Sequence, residues 1–98
     1  MSDVMQSIKF NTIEVPNRFA LAPMTRTSAE PDGTPNALMA DHYERYARGG
    51  FGLVITEGTY TDGKASQGYA NQPGIINEAQ IDGWKTIVER VHAAGSKI

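Results

Sequence analysis

Two short runs carry the residues that could do chemistry. Ala22-Pro23-Met24-Thr25-Arg26 follows one apolar segment, and Thr56-Glu57-Gly58-Thr59 ends a second. Each run joins a small residue to polar ones. Ala22 and Gly58 let a flat ligand come close to the backbone. Thr25 offers a hydroxyl and a backbone N–H that could bond a polar ring edge. Glu57 suits general acid–base work, or it can pair with Arg18 or Arg26 to fix the rim of the site. A plainer reading stands beside these: the small residues allow tight packing, and Thr25 serves a turn.

Both runs need elements that bring them together. Phe19-Ala20-Leu21-Ala22 is a continuous apolar run stopped by Pro23, and it predicts a parallel strand buried on both faces. Gly52-Leu53-Val54-Ile55-Thr56 predicts a second such strand. Between them a loop over 25–35 contains Pro31-Asp32-Gly33, and a helix spans 36–48. Asn36 caps that helix, Leu38, Met39, Tyr43, Tyr46 and Ala47 recur at helical spacing, and Gly49-Gly50 stops it. A long polar loop over 57–74 leads to a second helix. Asn77 is its cap, with Gln80 three residues on as a capping-box variant. Ile81, Trp84, Ile87, Val88 and Val91 form its apolar stripe, and Gly95 ends it. Ser96-Lys97-Ile98 reads as the start of a third strand.

Ahead of these units, Ser7-Ile8-Lys9-Phe10 and Thr12-Ile13-Glu14-Val15 alternate polar with apolar around Asn11, which predicts a tight hairpin. The order hairpin, β, α, β, α, β is that of an α/β fold built from βαβ units. Ligands of such folds bind beyond the carboxyl ends of the strands, where the two runs lie.

Composition narrows the functional classes. The 98 residues are 40% hydrophobic and 20% charged, with a formal net charge of −2, which fits a globular chain. No basic stripe marks a nucleic-acid binder. The absence of cysteine excludes disulfides, thiolate metal ligation and a cysteine nucleophile. No apolar stretch approaches the roughly 20 residues of a membrane span, and the opening residues lack a signal-peptide pattern. A cytoplasmic protein is expected.

The motifs add a resemblance. Asn17-Arg18 with Ala22-Pro23-Met24-Thr25-Arg26, Pro35-Asn36-Ala37-Leu38-Met39-Ala40, Ile55-Thr56-Glu57-Gly58-Thr59, Gln72-Pro73-Gly74-Ile75 and Gly83-Trp84-Lys85 are similar, in order and spacing, to the start of the old yellow enzyme family. One tetrapeptide would say little. Five in register, from about Ile8 to Ile98, are specific.

The resemblance implies the N-terminal part of a (β/α)8 TIM barrel, an entrance hairpin plus about two βα units, over residues 1–98. It implies an FMN-dependent oxidoreductase that takes hydride from NADPH or NADH and reduces activated alkenes, unsaturated carbonyl or nitro compounds. Ala22, Pro23, Met24, Thr25 and Gly58 match flavin-contacting positions, with Thr25 near flavin O4 and N5. Threonine at 25 resembles one branch of the family. Another branch has cysteine there and a tyrosine two residues on, where this chain has Thr27. Tyr69 matches an aromatic lining the substrate cavity.

The family's strand-three glutamine, its His/Asn or His/His pair, its proton-donating tyrosine and its phosphate-binding arginine have no counterpart in these residues. No catalytic residue is therefore assigned, and the chain is read as a fragment inactive alone. The alternative is a non-catalytic barrel fragment that self-associates through open edges, or awaits the remainder of the barrel. His42 and His92 have no metal-ligand partner at suitable spacing and are read as structural. Gly49-Gly50-Phe51-Gly52 precedes a strand rather than following one, so it is not a dinucleotide fingerprint.

Overall fold

Alternation at the amino end makes the hairpin. In the computed structural model, which describes residues 2–98, β1 (Ile8–Phe10) pairs antiparallel with β2 (Ile13–Val15) in the register Ile8↔Val15 and Phe10↔Ile13. Asn11 and Thr12 form the two-residue turn, and Asn11 adopts the left-handed conformation (φ 52°) that asparagine tolerates. A 3-10 turn over Ser2–Met5, which the sequence did not predict, precedes the hairpin.

Two parallel strands follow. β3 (Ala20–Leu21) pairs with β4 (Leu53–Val54) in the register Ala20↔Leu53 and Leu21↔Val54. Both are shorter than the apolar runs that predicted them, although hydrogen bonds from Gly52 N to Phe19 O and from Ile55 N to Leu21 O continue the pairing at both ends. Lys97 joins the other edge of β4 through a parallel bridge to Leu53, as expected for the start of a third strand. The strands thus lie side by side in chain order.

Helices α1 (Ala37–Arg48) and α2 (Glu78–Ala93) connect them. Asn36 and Asn77 cap the helices, each side-chain oxygen accepting an N–H from three residues on. Gly50 and Gly95 take positive φ just past the helix ends. Gln80 departs from the expected box: its Oε1 accepts from Ile76 N at 2.8 Å rather than from the cap residue.

Leu21 and Val54 meet Met39, Tyr43, Trp84 and Ile87 in one core between the sheet and both helices. Trp84 can be buried because its indole N–H donates to Gly74 O at 3.0 Å. Two expected stripe members fall outside this core. Leu38 and Ile81 are exposed, because each lies at the edge of its helix face rather than over the sheet.

The expectation of strands buried on both faces is also corrected. Leu21 and Val54 face the helices, whereas Ala20, Ala22 and Ile55 point the other way and are exposed, Ile55 by 42%. At the amino end of the strands the hairpin lies over part of this second face, leaving a groove lined by Ile8, Phe10, Val15, Ala20 and Leu53. No helix among the described residues is long and apolar enough to cross a membrane.

Charges on α1 pair within the helix and also join it to α2. Arg90 on α2 donates to Glu44 Oε1 and Asp41 Oδ1, both at 2.6 Å, and Arg48 reaches Glu44 Oε2 at 2.9 Å. The bond from Arg90 is the main reason the Glu44 carboxyl is held below the usual carboxylate range. A depressed folded pKa contributes stability above the unfolded value, near 4.3, that is lost as pH falls through the folded one. Arg90→Met should therefore lower the unfolding temperature at neutral pH and low salt. The gap from the parent chain should narrow below about pH 4 and in molar salt. A gap that stayed constant from pH 7 to pH 3 would show that the bridge adds nothing.

Candidate functional site

The register of β3 and β4 decides where the two chemical runs go. Because Leu21 pairs with Val54 and Ile55 N bonds Leu21 O, both strands leave the sheet at the same edge, their carboxyl ends. Ala22, Pro23, Met24, Thr25 and Gly58 are all exposed there, and none is walled into the core.

The loops beyond the strands are tied to one another. Ala29 N donates to Asn71 O (3.1 Å), and Asn71 Nδ2 returns a bond to Ala29 O (2.9 Å). Gly74 N bonds Gly33 O, and Gln80 Nε2 bonds both Asp32 O and the Tyr60 hydroxyl. The loop after β3 and the loop after β4 therefore stand on one side of the molecule, joined at two places. The sequence read the second as a polar loop, but Tyr60 within it is buried.

Tyr69 belongs to this arrangement through a neighbour. Gln72 Oε1 accepts from Gly68 N and Tyr69 N, and its Nε2 donates to Gly58 O at 3.1 Å. One glutamine side chain thus pins the Tyr69 turn to the Gly58 carbonyl. The Tyr69 ring itself is 60% exposed.

Behind the exposed residues lies a buried polar cluster. Glu57 is only 3% exposed. Its Oε2 accepts the Tyr43 hydroxyl proton at 2.7 Å, and its own N–H donates to the same Tyr43 oxygen at 2.9 Å. The expected ion pair with Arg18 or Arg26 does not form: no salt bridge among the described residues joins Glu57 to either. The reason is position. The buried face of α1 carries Tyr43 directly under the end of β4, and a phenol hydroxyl placed there must find an acceptor. Burial above all pushes the Tyr43 hydroxyl far above its ordinary value; the Glu57 N–H opposes this, the Glu57 carboxylate adds to it, and the Arg26 charge opposes it least. Its burial also removes Glu57 from any general-base role at the surface.

Arg26 is half-buried, and its Nη1 and the Glu57 Oε1 are enclosed without hydrogen-bond partners. Thr27 adopts φ 53°, which for a β-branched residue costs about 1–3 kcal/mol. Strain of this kind collects where a loop must present particular atoms. His42 packs edge-on against Tyr43 and Tyr46, both ring centroids at 5.1 Å, and its pKa is lowered by burial first and then by Arg26 and Arg45.

Asn17 escaped the motif reading except as half of Asn17-Arg18. It is buried where the strands begin, its Nδ2 donating to Gly50 O while its Oδ1 accepts from Phe19 N and Gly52 N. Tyr43 was read as one of several apolar stripe residues. Its hydroxyl was the available signal, since a tyrosine on a core face implies a nearby acceptor.

The geometry can be set beside known proteins. The model of the NADH:flavin oxidoreductase / NADH oxidase family matches residues 3–98. Chanoclavine-I aldehyde reductase of Penicillium roqueforti is 42% identical over 98 residues, all of this chain and 26% of that protein. 12-Oxophytodienoate reductase 7 of Oryza sativa is 43% identical over 79 residues, 81% of this chain and 19% of that protein. The crystal structure of Old Yellow Enzyme from a Pichia species is 35% identical and superposes with a TM-score of 0.88, over 96% of this chain and 24% of that one. The chain thus spans about a quarter or less of the proteins it matches, and its α/β arrangement is that of the entrance hairpin and first βα units of their TIM barrel. With nearly every residue matched and the strand-end motifs carried on the same fold, the chain belongs to the NADH:flavin oxidoreductase / NADH oxidase family, that of the old yellow enzymes.

Proposed function

We propose that these residues form the first flavin-facing wall of an FMN-dependent NAD(P)H oxidoreductase of old-yellow-enzyme type that reduces activated alkenes. One observation carries the reading: Ala22 to Thr25 and Gly58 are exposed together at the carboxyl ends of two adjacent strands.

The residues present suit a flat cofactor. A Cβ at Gly58 would find only Gln72 Nε2, at 3.7 Å, so the backbone there borders open space that a ring can enter. The Thr25 hydroxyl is bonded to no other described residue, whereas Thr27 directs its own to Arg26 O. Ala22, Pro23 and Met24 supply an apolar edge, Thr25 a donor for a ring oxygen or nitrogen, and Gly58 room beside the neighbouring strand end. FMN bound there would supply hydride transfer between a nicotinamide and the alkene. Tyr69, held beside Gly58 by Gln72, is positioned to line the substrate side. A cytoplasmic location belongs to the same proposal.

Filling the space at Gly58 tests this. Gly58→Leu should leave the unfolding temperature nearly unchanged, because the new side chain stands in the opening. Its affinity for FMN, read by quenching of flavin fluorescence, should fall more than about tenfold. Equal affinity in parent and variant, or no binding by the parent chain, would sink the flavin reading.

A second reading, self-association, is favoured by the open sheet face and by the exposed Phe10, Ile13 and Phe19 beside it. Sedimentation of the chain as a monomer across the micromolar range would exclude it.

A further inference from the structure

We infer that Arg26 and Glu57, whose enclosed Nη1 and Oε1 lack partners, act as opposed charges that set how strongly the strand-end site prefers reduced over oxidised flavin. The inference rests on the flavin reading above and deepens it.

Chain adjacency gives the pair its place. Arg26 follows Thr25, and Glu57 precedes Gly58. Thr25 and Gly58 are exposed, whereas Glu57 is buried and Arg26 half-buried, so each charged residue stands behind an exposed neighbour. A ring held by Thr25 and Gly58 would therefore border two residues whose Cα atoms are each one step, about 3.8 Å, from that of a charged residue.

The bonding gives the pair its reach. Tyr43 fastens Glu57 from α1 through two hydrogen bonds, so the carboxylate cannot swing out to solvent. Glu57 Oε1 and Arg26 Nη1 have no partner among the described residues, and no salt bridge cancels one charge against the other at close range. Charges enclosed in this way act over longer distances than they would in water. Arg26 favours negative charge on the ligand, and Glu57 opposes it. Reduced flavin carries more negative charge than oxidised flavin, so the balance of the two side chains reads out as a ratio of affinities.

The measurement is anaerobic titration of the chain with oxidised and with dithionite-reduced FMN, giving the ratio of the two dissociation constants. Glu57→Gln leaves Arg26 unopposed and should move the ratio toward reduced FMN by about fivefold or more. Arg26→Gln should move it as far the other way, and the charge-keeping Arg26→Lys should restore it to within about twofold of the parent. A purely structural role would weaken both forms alike and leave the ratio fixed. FMN bound by all variants with an unmoved ratio, or with both neutral variants shifting in one direction, overturns the inference and leaves the flavin reading intact. No binding of either form by the parent chain overturns both. Should Glu57→Gln fail to fold by circular dichroism, the contrast between Arg26→Gln and Arg26→Lys decides alone.

Discussion

Asn17→Ala is expected to lower the unfolding midpoint of the chain by more than about 12 °C. The side chain is buried and makes three hydrogen bonds at the amino ends of β3 and β4. Its removal strips Gly50 O and Phe19 N of their partners, while Gly52 N keeps its bond to Phe19 O. The bond to Gly52 N is buried and the other two are partly so, and losing three such bonds at about 1 kcal/mol each gives a loss near 3 kcal/mol. Small domains shift by about 4–8 °C per kcal/mol. Asn17→Asp separates the contributions: it keeps the acceptor for Phe19 N and Gly52 N but loses the donor to Gly50 O. An intermediate loss is expected for it, and Arg18→Ala, exposed next door, should change little. Thermal circular dichroism reads all three. A loss below about 1 kcal/mol for Asn17→Ala would mean that these bonds are replaced by solvent.

The second large effect is expected at Gly74. A Cβ added there would overlap the Tyr60 ring and come within 2.8 Å of Gln80 Oε1. Neither neighbour is free to yield. Gln80 is tied to Ile76 N, Asp32 O and the Tyr60 hydroxyl, and the Gly74 carbonyl itself accepts the Trp84 indole proton. Gly74→Ala should therefore cost about 2–3 kcal/mol, the range for overpacking with loss of a buried network. It should also open the Trp84 indole to solvent, seen as a red-shifted tryptophan emission. Adding Tyr60→Val to make room should recover part of the stability. If Gly74→Ala melts with the parent chain, the two loops are not locked together in the way described.

Much of the framework could be read from local chemistry. Asn36, Asn77, Gly50 and Gly95 bound their helices because a cap needs only its own turn. That the two strand ends share one edge of the sheet was legible because sequential βα units place their loops there. What escaped depends on distant partners. Asn17 meets Gly50 and Gly52 over more than 30 residues, and Gln80 meets Asp32 over 48. Nothing in the spacing of either residue announces the other. Glu57 was assigned an arginine because opposite charges suggest a pair, but the residue that helix packing delivers is Tyr43. The apolar run through Phe19 and Ala22 was read as buried on both faces. In the chain one face meets the helices and the other remains open, a difference that composition cannot express.

The division between exposed and buried positions at the two strand ends has a practical consequence for protein engineering. Positions 22, 24, 25 and 58 face outward, while Leu21, Val54 and Glu57 face the helices. Mutant libraries restricted to the outward set would sample recognition while leaving the packing that sustains the backbone intact. Libraries that include Leu21, Val54 or Glu57 would instead sample collapse, so randomising the exposed positions alone is the better plan here.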